Sequence, residues 1–88
     1  MRTFASLDLL PREAMGKLPR IVLTGNSELL IEQHKGLYSY DTALIRVRSA
    51  RGLITVSGLH MTILYFGPDD LLISGTISGV TLESDQPC

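Results

Sequence analysis

The breaks in this chain constrain it more tightly than its apolar runs do. From Arg20 onward the runs Ile21–Thr24, Glu28–His34, Leu37–Tyr40, Ala43–Ser49, Leu53–Ser57, Met61–Phe66, Asp70–Ser74 and Ile77–Leu82 are separated by stretches as short as GNS, KG, DT, GLH and GT. A parallel pair of strands needs a crossover of roughly a dozen residues, normally a helix, and no break here has room for one. Neighbouring strands must run antiparallel. Each break also carries a residue suited to reversal, chiefly Gly with positive φ, or Asn and Asp bonding to local backbone.

Within the runs the side chains alternate. Leu29, Ile31, Ile45, Val47, Ile54, Val56, Met61, Ile63, Tyr65, Leu71, Ile73, Val80 and Leu82 fall on one face, the candidate core. The other face is mixed, because Arg46, Arg48 and Thr55 share it with Leu30, Leu44, Leu53, Leu64, Phe66 and Leu72. A second apolar face needs shelter, from closure of the sheet, from another copy, or from the N-terminal segment lying over it. The expected fold is all-β, an antiparallel meander of about seven or eight short strands whose curled sheet forms a small barrel or a solenoid-like stack. A sandwich has the same run spacing, and periodicity does not choose among them.

Residues 1–19 read differently. In SLDLLPREAMGKLP, Ser6 or Asp8 suits a helix N-cap and Gly16 with Pro19 suits a stop, which permits a short N-terminal helical turn carrying Leu9, Leu10, Ala14 and Met15. The expected organisation is a leader over 1–19, a β domain over 20–83 and a flexible tail over 84–88.

A chain of 88 residues is one domain at most. It buries only about 60 to 65% of the surface its unfolded form exposes, so burial gained from a partner matters. The single Cys88 excludes an intrachain disulfide and a cysteine-rich metal site. No apolar run reaches the roughly 18 residues of a membrane span. Asp8, Pro11 and Glu13 interrupt what a secretion signal would need, so a protein retained where it is made is expected, with no direct membrane insertion.

Chemistry is sparse. His34 and His60 have no second ligand at metal spacing and read as a solvated strand-end residue and a turn residue. There is no nucleophile elbow and no phosphate-cradling loop, so the expectation is a non-enzyme without cofactor or metal. The one basic feature is IRVRSAR, in which Arg46 and Arg48 share a strand face and Arg51 lies in the following turn. As a plain solvated face these residues need no ligand. As a binding face they suit an anion, a nucleic acid backbone or the acidic half of another copy. All eight basic residues lie at or before Arg51, while Asp69, Asp70, Glu83 and Asp85 follow it, an asymmetry that favours head-to-tail contacts between copies. The net charge of -1 and the lack of interleaved aromatic residues argue against nucleic acid.

LPRIVLTGN at residues 18–26, then LLIEQHKGLYSYD, IRVRSARGLITVSG and LLISGTISGV, resemble the YabP/YqfC family of sporulation proteins from endospore-forming bacteria. LDLLPREAM is similar to the short leader of YqfC-like members, whereas Ser27-Glu28 and the Gly67-Pro68 turn depart from the family pattern. The resemblance implies a small β-rich protein made in the mother cell, without catalytic residues, with a YqfD-like membrane protein as partner. The expected role is that of a non-enzymatic structural or protein-interaction protein of endospore formation. It would form a homo-oligomer or act with a membrane partner, in the mother-cell cytoplasm and peripheral to the forespore membrane. Its interaction residues would be Arg46, Arg48, Arg51, Leu30, Leu53, Leu64 and Phe66. The alternative is a small anion- or nucleic-acid-binding β domain using Arg46, Arg48 and Arg51.

Overall fold

A computed structural model describes residues 18–83. These form six strands: β1 (Arg20–Thr24), β2 (Glu28–Glu32), β3 (His34–Tyr40), β4 (Leu44–Ser49), β5 (Gly52–Phe66) and β6 (Asp70–Glu83). All pair antiparallel in one sheet of order β1-β2-β6-β5-β4-β3. The sheet is open. Its end strands β1 and β3 do not pair with each other, so the expected curled barrel or solenoid-like stack is corrected to an open six-stranded sheet. The expected helical turn lies outside the described residues, and among those residues there is no helix.

The strand count falls from the expected seven or eight because two breaks do not reverse the chain. GLH lies inside β5 and GT inside β6, each as an irregularity in a long strand. The β5–β6 register shifts between Ser57 and Gly58, between Leu59 and Thr62, and between Ile63 and Tyr65. At the first of these sites the strands come so close that a Cβ on Gly58 would run into the Thr76 carbonyl oxygen. Gly75 has φ +148, and a Cβ there would stand 2.8 Å from the Met61 Cα. His60 takes a left-handed conformation at φ 53. These residues bend both strands while the ladder continues on either side, which is what bulges do.

The meander is also corrected at β2. Strands β3 to β6 follow one another in space, but β2 leaves that sequence and pairs with β6. Gln33, at φ 65, is the one residue between β2 and β3, although three strands separate them in the sheet. Two Cα steps reach about 7.6 Å, against about 19 Å for four strand spacings in a flat sheet. The bends in β5 and β6 must therefore bring the two ends of β2 and β3 together. Lys35-Gly36, expected as the turn, sits inside β3 with Gly36 at φ 126 and a register shift beside it.

Both arms of the bent sheet turn the same face inward. Leu29, Ile31, Met61, Leu71 and Ile73 from one arm and Ile45, Val47, Ile54 and Val56 from the other have no solvent exposure, and Ile77 joins them. Tyr65 and Leu82 were expected in this core and are exposed. Tyr65 follows the last register shift in β5, which turns it to the outer side. Leu82 faces inward opposite Ile54 but remains 46% exposed, because β2 does not extend alongside that end of β6.

Candidate interaction surface

The outer face carries two separate groups of side chains. On the β3–β4 arm, Ile45 and Val47 point into the core, so Arg46 between them and Arg48 after them point out. Arg46 stands between Ser39 and Thr55, and Arg48 between Gly36 and Leu53, with Glu83 next beyond Leu53. The irregularity between Leu37 and Ser39 frees Tyr38 to meet Arg48, whose Cζ lies 5.8 Å from the ring centroid. That is within the range of a cation–π contact. Lys35, Tyr38, Arg48, Leu53 and Glu83 line a shallow groove there. Arg51 is exposed in the β4–β5 turn, with its N–H donating to Ser49 Oγ at 3.1 Å.

On the other arm, one row crosses four strands: Val22, Leu30, Leu72 and Tyr65. Val22, Leu30 and Leu72 are half-buried, Tyr65 is exposed, and Leu64 beside it is 56% exposed. The row below it is charged at one end, where Arg20 Nη1 donates to Glu32 Oε1 at 3.1 Å with Asp70 as the next residue along. This is the single ion pair among the described residues.

The structure thus divides the residues singled out from sequence. It gathers Arg46, Arg48 and Leu53 on one arm, with Arg51 at its end, and places Leu30 and Leu64 on the other. Phe66 belongs to neither group, because its ring stacks on His34 with centroids 5.2 Å apart at 18°. Lys35, Tyr38 and Tyr65 join these surfaces only through local irregularities in β3 and β5 that strict alternation does not show.

His34 is not the solvated residue expected from sequence. It is buried, its Nδ1 accepts from the Gly36 N–H at 2.9 Å, and its Nε2 faces the carbonyl oxygens of Gly67 at 2.9 Å and Asp70 at 3.3 Å. A donor at Nδ1 and two acceptors at Nε2 match a ring that carries its hydrogen on Nε2. Its backbone N–H donates to Asp69 O at 3.0 Å, so one residue ties the start of β3 to the β5–β6 turn. Every ring nitrogen is occupied by backbone. His60 is exposed at the bend, and among the described residues no group of three or more His, Cys, Asp or Glu is placed to hold a metal ion.

The described residues thus form a small all-β unit, an open and bent antiparallel sheet whose outer face carries two patches of different chemistry. Residues 16–87 match the model of the YabP family. The chain is also 32% identical over 71 residues to the uncharacterized protein YqfC of Bacillus subtilis (strain 168), covering 81% of this chain and 76% of that protein. The chain belongs to the YabP family, within the YabP/YqfC group of sporulation proteins, and as a member it is a sporulation-associated protein. No solved structure matches it.

Proposed function

We propose that this sporulation-associated protein is a structural or protein-interaction module of the mother cell, assembling with copies of itself and acting with a YqfD-like membrane protein at the periphery of the forespore membrane. The observation that carries the reading is the outer row Val22–Leu30–Leu72–Tyr65 with Leu64 alongside, apolar side chains on the face turned away from the core. A small domain gains stability when a partner covers such a row, since its own core is thin. Sedimentation velocity over a concentration series tests self-assembly, and a species that stays monomeric from micromolar to millimolar contradicts it. Co-purification with the YqfD-like protein from sporulating cells tests the membrane partner, and its loss on replacing Leu64 and Tyr65 by Ser would place the contact on this arm.

A second reading is favoured by the Arg46–Arg48–Tyr38 group, which suits a polyanion. It predicts retention on heparin that weakens steeply as salt rises and is reduced by Arg48→Ala. Absence of retention at low salt removes it.

A further inference from the structure

The sheet has four unpaired edges among the described residues, and they are not alike: β4 pairs with β5 only from Gly52 to Ser57, so β5 from Thr62 to Phe66 is held by β6 alone, and that edge carries the register shift between Ile63 and Tyr65. β1 is five residues long, follows Pro19 and begins with Arg20 in an ion pair. β3 carries Lys35 and two register shifts. Short length, charge, proline and bulges are the devices by which edge strands avoid pairing with another chain. The fourth edge is the C-terminal half of β6. β2 covers β6 only from Asp70 to Ser74, and the hydrogen bond from Ile77 N to Asn26 O, 2.7 Å, is the last contact on that side. From Ser78 to Glu83 the strand is held by β5 alone, and SGVTLE contains no proline and no Lys or Arg.

This edge also explains Leu82. Its register partner Ile54 is fully buried, so Leu82 faces the core side, yet it is 46% exposed because no strand stands beyond it. Val80, opposite the buried Val56, is likewise only partly covered. The apolar layer runs to this edge and stops there uncovered.

We propose that the Ser78–Glu83 edge pairs antiparallel with the same segment of a second copy about a two-fold axis at Thr81, joining two sheets into one. The inference rests on the self-assembly proposed above and names one interface for it. The strand is self-complementary in this register. Val80 lies opposite the partner's Leu82 and Leu82 opposite the partner's Val80, which continues the inner apolar layer across the junction. On the outer side Thr81 meets the partner's Thr81, and Glu83 meets the partner's Gly79, so the one charge of the segment never opposes its like. Gly79 has no atom within 4 Å of where a Cβ would be, which leaves room for the partner's Glu83 side chain.

The test uses the full chain. Thr81 is exposed, so Thr81→Lys leaves the fold intact by circular dichroism while setting two lysines against each other at the axis. The expected result in sedimentation equilibrium is a dimer for the parent and dimerisation weaker by about tenfold or more for Thr81→Lys. A second variant, Thr81→Cys in a Cys88→Ser background, is expected to form a disulfide-linked dimer on mild oxidation, whereas Thr24→Cys on the β1 edge in the same background remains monomeric. If the parent associates but Thr81→Lys leaves the constant unchanged and position 81 does not cross-link, the edge is not the interface and self-assembly uses another surface. If the parent is monomeric, the interface and the self-assembly both fall.

Discussion

A single imidazole closes one corner of this molecule. His34 joins β3 to the β5–β6 turn through Nε2, its own N–H and the face of Phe66, while Nδ1 accepts from the Gly36 N–H within β3. Replacing it with Ala leaves the partly buried Gly36 N–H and Gly67 carbonyl without this partner, which costs about 1 kcal/mol for each group left unsatisfied. His34→Ala is expected to lower the urea midpoint markedly, whereas His60→Gly, which relieves a left-handed residue at φ 53, is expected to be neutral or slightly stabilising. Sequence alone did not show this difference, because the partners of His34 lie in a turn more than thirty positions away. Apolar parity was far more legible. Leu29, Ile31, Ile45, Val47, Ile54, Val56, Met61, Leu71 and Ile73 all occupy the face that alternation assigns them.

At the scale of elements, bulges decide what alternation misses. Ile77 and Val80 both face the core although an odd number of positions separates them, because the shift near Ser57 and Gly58 resets the period of two. The same mechanism turns Tyr65 outward, and it converts GLH and GT from expected turns into bends. Glycine in a strand signals either a turn or a close approach of two backbones, and only the paired strand tells them apart. The structure separates the cases. Gly58→Ala and Gly75→Ala are expected to destabilise by more than about 2 kcal/mol, since the new methyl group meets backbone at both positions. Gly79→Ala enters open space and is expected to change stability by no more than about 0.5 kcal/mol in denaturant titrations. Equal effects at all three would show that β5 and β6 do not cross as described.

For the whole molecule, one face of a bent sheet supplies the entire core and the other supplies two patches of different chemistry. The separation of Arg46 and Arg48 from Leu30 and Leu64 was not legible in the sequence, because it depends on β2 pairing with β6 and not with β3. Family membership was legible from the order of segments such as LPRIVLTGN and LLISGTISGV, and it places the chain in sporulation. If copies associate, folding and assembly are linked, and the thermal midpoint of the parent rises with protein concentration. Thr81→Lys is expected to flatten that dependence while leaving the midpoint at the lowest concentration unchanged.

Amide hydrogen exchange of the full chain, followed residue by residue at two widely spaced protein concentrations, tests the proposed assembly most directly. Slower exchange at the higher concentration, confined to Ser78–Glu83 and to the strands carrying Leu30, Leu64 and Tyr65, is the predicted result. Identical exchange at both concentrations throughout β2, β5 and β6 would mean that these surfaces face water at both concentrations, and would contradict it.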